Sequence, residues 1–251
     1  MNNSWLINFS DIDNFKPRMY MLPFAGGNAS MYADWADDIP DVSIVGIQYP
    51  GRGARYMEPC ISDASIMASK IAQLIEYQED QHFFIFGYSM GAALAFETLA
   101  KLKHKTQAKC LGLFVAARGA PDQISQRKPI HALDDISFIE NLRDIADIPE
   151  EVIGDEELMD LLMPMLRSDF KLAESYQRIQ KLVLPINITA LFGEKDPYAD
   201  RDASLGWSGY TSACFQYRSF SGGHFFINEH KNQLKFIVRE NIRNQLSSAT
   251  V

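Results

Sequence analysis

The chain has 251 residues, 47% of them hydrophobic, and a formal net charge of −8. That is enough apolar material for one large core of the size usual in α/β domains. The acidic balance excludes a general nucleic-acid binder, which needs a basic face.

The start, Met1 to Leu6, lacks the basic segment and long apolar core of a signal peptide, and no run of about 18 apolar residues spans a bilayer. Cys60, Cys110 and Cys214 are odd in number and lack metal-type spacing. The expectation is a cytoplasmic protein with three reduced thiols and no metal, membrane or nucleic-acid partner. No linker, low-complexity run or internal repeat divides the chain. It therefore reads as a single domain over 1–251 with one insertion.

In chain order, the apolar run Arg18 to Pro23 stops at Phe24-Ala25-Gly26-Gly27, and a second run, Asp41 to Tyr49, stops at Pro50-Gly51-Arg52-Gly53. Between them, Met31, Tyr32, Trp35 and Ala36 recur at helical spacing within 29–39. A better helix is predicted over 62–77, with Ile66, Ile71, Leu74 and Ile75 on its apolar side. The strand-type run Phe83 to Phe86 then enters Gly87-Tyr88-Ser89-Met90-Gly91, and a helix-forming run leaves it. This is the G-x-S-x-G nucleophile elbow in its expected strand–turn–helix setting. The turn is so tight that Gly87 and Gly91 have no room for side chains. It also sets Ser89 at the positive end of a helix, where a forming oxyanion is stabilised.

Two further buried-type strands follow at 110–117 and 186–192, and an alternating one at 215–220. A closing amphipathic helix over 228–245 has Asn228 as a plausible cap. Strands alternating with helices predict a mostly parallel sheet covered on both faces. The stretch of about 121–182 breaks the rhythm, with apolar positions only at helical spacing, among them Phe138, Leu142, Leu161, Met165 and Leu166. Pro149 suits a first helical turn, Asp155 a cap, and Pro164 a kink or helix end. Such a length exceeds what one crossover needs, so a helical lid subdomain is expected there.

A serine hydroxyl is a weak nucleophile and needs a base and an orienting acid. A parallel sheet presents catalytic groups on loops at the carboxyl ends of its strands. Of five histidines, only His224, in Ser221-Gly222-Gly223-His224-Phe225-Phe226, follows such an end; His82, His104, His131 and His230 do not. For the acid, Asp196 in Gly193-Glu194-Lys195-Asp196-Pro197 is favoured because the proline restricts its backbone, with Glu194, Asp200 and Asp202 as alternatives. The order Ser89, Asp196, His224 is that of α/β-hydrolases. The oxyanion donors are assigned to the backbone N–H of Met90 and of Ala25.

These segments resemble the type II thioesterases that accompany polyketide synthases and non-ribosomal peptide synthetases. The resemblance spans nearly the whole chain. It is carried by 22–27, 48–55, 86–92, Ala117-Arg118-Gly119-Ala120-Pro121, His131-Ala132-Leu133, Leu166-Arg167-Ser168-Asp169-Phe170, 192–197 and 222–226. Two positions depart from the family pattern: Ala54 stands where an acidic residue is common and Glu194 where aspartate is frequent. The resemblance implies an α/β-hydrolase fold with a helical lid, and hydrolysis of thioesters on the phosphopantetheine arm of carrier proteins without a cofactor of the enzyme's own. It also carries Ser89, Asp196, His224 and the Ala25 and Met90 amides into their catalytic roles.

The expected partners are acyl or peptidyl carrier domains, met by a monomeric enzyme. Because the chain is itself acidic, docking on an acidic carrier needs a local basic patch, for which Arg52, Arg55, Arg127 and Lys128 are candidates. Alternatives are a medium-chain fatty acyl thioesterase of a fatty acid synthase, a carboxylesterase or lipase on the same fold, and a catalytically silent binding protein.

Overall fold

A computed structural model of the chain describes residues 4–11, 13, 15–78, 81–123, 128–145 and 148–249. Its centre is a seven-stranded sheet. The strands are β1 (Leu6–Asn8), β2 (Arg18–Leu22), β3 (Ser43–Ile47), β4 (Phe83–Tyr88), β5 (Cys110–Ala116), β6 (Asn187–Gly193) and β7 (Phe215–Phe220). Their order is β1-β3-β2-β4-β5-β6-β7. All neighbours run parallel except β1, which pairs antiparallel with β3 and at three residues is too short to show a pattern in sequence.

The helices are α1 (Trp35–Asp38), α2 (Ala64–Glu76), α3 (Met90–Lys101), α4 (His104–Gln107), α5 (Asp135–Ile145), α6 (Glu150–Ile153), α7 (Glu156–Ser175), α8 (Arg201–Leu205), α9 (Phe226–Glu229) and α10 (Lys231–Ala249). The pleat divides each strand between two cores. Tyr20, Leu22, Val45 and Ile85 pack with Met67 and Ile71 of α2 and Leu94 of α3. Met19, Met21, Ile44 and Phe84 pack on the other face with Trp35 of α1 and Leu234, Val238 and Ile242 of α10. Burial on both faces explains why the inner strands read as continuous apolar runs, and every residue of β3 and β4 is buried.

Four expectations are corrected. Residues 29–39 form a 3₁₀ turn, Ala29–Tyr32, capped by Asn28 Oδ1 accepting from Ser30 N–H at 3.1 Å, and the separate short α1. In α2 the buried stripe is Ala64, Met67, Ala68, Ile71, Ala72 and Ile75, which leaves Ile66 54% exposed. The sheet selects this phase because small alanines allow close approach. The closing helix is broken at His230, whose backbone (φ −117°, ψ 25°) leaves helical values, so Asn228 lies inside α9 and is no cap. Finally, Pro164 does not end α7, which runs on to Ser175; the one lost backbone bond is offset by packing of Met159, Met165, Leu166 and Leu172 on either side.

Between β5 and β6 the described residues contain no strand, only α5, α6 and α7 with a small core of their own: Ile130, Phe138, Leu142, Met159, Met165 and Leu166. Asp155 caps α7, its Oδ1 accepting from Leu158 N–H at 3.0 Å. Among the described residues no helix is long and apolar enough to cross a membrane.

Candidate active site

Ser89 joins β4 to α3 with φ 51°, a conformation that L-residues adopt only when their surroundings impose it. The surroundings are backbone. Ser89 N–H donates to Ala116 O at 2.8 Å, and its carbonyl accepts from Ala92 N–H at 3.0 Å. A side chain on Gly87 would lie 2.2 Å from Gly91 O, and one on Gly91 would lie 2.1 Å from Leu22 O. The two glycines thus let the elbow close on itself and rest on the end of β2.

The loops after β6 and β7 are fastened together. Glu194 N–H donates to Phe220 O at 2.8 Å and Lys195 N–H to Gly222 O at 2.9 Å, while Gly193 lies so close to Gly223 O that a Cβ there would be 2.3 Å away. This brings Asp196 to His224. Asp196 Oδ2 is 2.9 Å from His224 Nδ1, and His224 Nε2 is 2.9 Å from Ser89 Oγ. The other carboxylate oxygen of Asp196 accepts from Tyr198 N–H at 2.8 Å and Ala199 N–H at 3.2 Å, so the acid is held at both ends and its side chain is fully buried.

The remaining candidates lie elsewhere. Glu194 accepts from Ser219 Oγ, Asp200 caps α8, and Asp202 is exposed. His131 pairs with Glu174 at 2.6 Å and His230 with Ser221, while His82 and His104 are exposed. Among the described residues no cluster of three or more His, Cys, Asp or Glu is arranged to hold a metal.

Met90 is the first residue of α3, and its N–H has no acceptor within the helix. Ala25 lies in a turn closed by Gly27 N–H donating to Phe24 O at 2.9 Å, with Gly26 at φ 80°. Among the described residues the Ala25 N–H makes no hydrogen bond. Both assigned donors therefore stand on segments that meet where Gly91 touches Leu22.

Aromatic rings enclose the imidazole. The rings of Tyr198, Phe225 and Tyr88 lie 4.9, 5.2 and 6.2 Å from it, centroid to centroid. Tyr88 does more than fill space, since its hydroxyl donates to the backbone carbonyl of His224. Sequence reasoning passed over it, because the middle position of the elbow motif accepts many residues. Tyr88→Phe removes the bond and keeps the ring. Its kcat should fall about 5- to 10-fold, the equivalent of one net hydrogen bond, with little change in KM. Steady-state kinetics on an acyl thioester checks this, and an unchanged kcat would show that the bond has no part in holding His224.

The basic patch is corrected. Arg52 and Arg55 are only 5% and 2% exposed. Arg52 forms a bidentate pair with Asp169, at 2.6 and 2.7 Å. Burial works against its charge, yet the neighbouring carboxylate outweighs this and leaves the guanidinium pKa above its ordinary value. Arg55 donates to Gln48 O at 2.7 Å, pairs with Glu58 and stacks on Trp5. A guanidinium offers five donors, and those of Arg52 are taken up by Asp169, Gly27 O and Pro50 O inside the protein. Lys128 is exposed, and Arg127 lies outside the described residues.

A family model described as thioesterase domain matches residues 17–244. The thioesterase PikA5 of Streptomyces venezuelae is 35% identical over 233 residues, covering 92% of this chain and 82% of that protein. The gramicidin S biosynthesis protein GrsT of Aneurinibacillus migulanus is 31% identical over 233 residues, covering 92% and 91%. Among solved structures, the type II thioesterase BorB from the borrelidin biosynthetic cluster superposes with a TM-score of 0.83 at 29% identity, covering 95% of this chain and 96% of that one. The chain belongs to the thioesterase domain family and, with an α/β-hydrolase fold, stands among its type II members.

Proposed function

We propose that this thioesterase hydrolyses acyl groups from the phosphopantetheine arm of carrier proteins, with Ser89 as nucleophile. The observation that supports it best is the unbroken hydrogen-bonded chain from Asp196 through His224 to Ser89 in a strained elbow. His224 takes the Ser89 proton as Oγ attacks the thioester carbonyl carbon. The tetrahedral oxyanion is met by the N–H groups of Ala25 and Met90. Collapse breaks the C–S bond, and His224 returns the proton to the departing thiol. A water then gives its proton to His224 and attacks the acyl-enzyme, and Ser89 leaves reprotonated with release of the acid. Asp196 orients the imidazole and stabilises its cation. No metal or cofactor is needed for any of these steps.

In this reading the chain is one domain, and the helices of 121–182 act as a lid whose apolar residues shape the acyl chamber. The relatives support the substrate class, since GrsT is named for gramicidin S biosynthesis and BorB comes from the borrelidin cluster. The enzyme meets its carrier as a cytoplasmic monomer, clearing stalled or mis-primed acyl groups.

The deciding measurement compares kcat/KM for one acyl group on a carrier protein and on coenzyme A, with a p-nitrophenyl ester of the same acid alongside. Carrier recognition predicts a clear preference for the first. Equal values on carrier and coenzyme A would overturn docking, and a preference for the oxygen ester would overturn thioester specificity.

A further inference from the structure

Two segments that stand out in the sequence, 49–53 and 166–170, take no part in the relay, yet they meet behind the turn that holds Ala25. Asp169 Oδ2 accepts from Gly26 N–H at 2.8 Å and from Arg52 Nη1 at 2.6 Å, and Oδ1 accepts from Nη2 at 2.7 Å. Arg52 Nη1 also donates to Gly27 O at 3.0 Å. Leu166 of the same helix approaches Gly26 so closely that a Cβ there would be 2.9 Å from its side chain. Asp169 is 1% exposed. We propose that Asp169, held by Arg52, is a positioning residue that fixes the oxyanion turn and so the aim of the Ala25 N–H; this rests on the catalytic reading of Ser89 and Ala25 above.

The physical argument starts from the turn. A four-residue turn with positive φ at its third position differs from the commoner form by a flip of the central peptide. Here that peptide joins Ala25 to Gly26. A carboxylate facing it attracts the Gly26 N–H and repels the Ala25 carbonyl, so it selects the observed orientation. Arg52 grips Gly27 O, so the peptides on either side of the Gly26–Gly27 link are both held by side chains from other segments. A buried ion pair is a poor way merely to fill space, because an apolar pair of similar volume avoids the desolvation cost. An apolar pair would leave the Gly26 N–H without its acceptor. Because Asp169 lies on α7, this part of the helical insertion cannot swing away while the oxyanion turn keeps its shape.

The test uses two variants of the full chain. Asp169→Asn keeps the volume and removes the charge. The double variant Arg52→Met with Asp169→Leu removes both charges and leaves neither stranded. In each, kcat on an acyl thioester should fall on the order of 10- to 100-fold with KM little changed, as for a misaimed oxyanion donor. The Ki of an alkyl trifluoromethyl ketone, which adds Ser89 and leaves an oxyanion, should rise by the same factor. Wild-type kcat in either folded variant, a loss confined to KM, or an unchanged Ki would overturn the proposal. So would loss of the native near-UV circular dichroism in both variants, which would make the pair a folding element. Ser89→Ala measured alongside separates the two readings. Turnover retained there overturns the nucleophile, whereas an inactive Ser89→Ala beside fully active Asp169 variants overturns only the positioning role.

Discussion

Replacing Ser89 with alanine is expected to lower kcat for acyl-thioester hydrolysis by roughly 10⁴- to 10⁶-fold while the protein stays folded. The fold should survive because the hydroxyl makes one hydrogen bond, to His224 Nε2. Losing a single partly exposed bond of this kind costs about 1 kcal/mol. The backbone strain is unchanged, since alanine at φ 51° is no better placed than serine. Release of free thiol, followed with a thiol-reactive dye, measures turnover; a thermal melt checks the fold. Residual turnover above about one hundredth of the wild-type rate, far more than loss of a nucleophile allows, would assign the attack to another group.

Gly91→Ala should be severely destabilising, by more than about 4 kcal/mol or to the point of yielding no folded protein. The added carbon would lie 2.1 Å from Leu22 O, 2.6 Å from Leu22 C and 2.7 Å from Pro23 O, all backbone atoms. They cannot retreat, because β2 is hydrogen-bonded on one side to β3 and on the other to β4. Gly154→Ala is the control. It sits exposed at the end of α6, where the nearest atom to an added carbon is Glu150 O at 3.3 Å, and its stability should stay within about 0.5 kcal/mol of wild type. Urea midpoints compare the two. A Gly91→Ala protein with the wild-type midpoint would mean that the elbow does not rest on β2.

The same contact explains why so much of the site was legible in one dimension. A nucleophile elbow must have glycine at Gly87 and Gly91 for steric reasons, so its pattern survives in the sequence. The proposed acid and base follow because a parallel sheet delivers such groups at strand ends. Asp196 and His224 fall just after β6 and β7, and the loops between are tied by backbone bonds that any residue can make. The inner strands were equally readable, since burial on both faces leaves an unbroken apolar run.

Other features left no local trace. Strand β1 has three residues and borrows its order from β3. Ile66 looks like a core residue in α2, yet the alanines on the neighbouring stripe pack more closely and leave it in solvent. Pro164 reads as a kink or a helix end, yet packing carries α7 past it. Tyr88 reaches the carbonyl of a residue 136 positions away, and Arg52 meets a carboxylate 117 positions away.

What the sequence determined by itself is the succession of the parallel strands β2 to β7, the sharp turn at Ser89 and the residues proposed as its partners, because each depends on local sterics or on where strands end. What only the tertiary structure decided is which charges are surface and which are machinery. Arg52 and Arg55 read as a docking patch until their burial is seen. The reason is physical: a guanidinium can leave water only where acceptors arrive to meet it, and those of Arg52 come from Gly27 and Asp169, on distant segments that folding alone brings together.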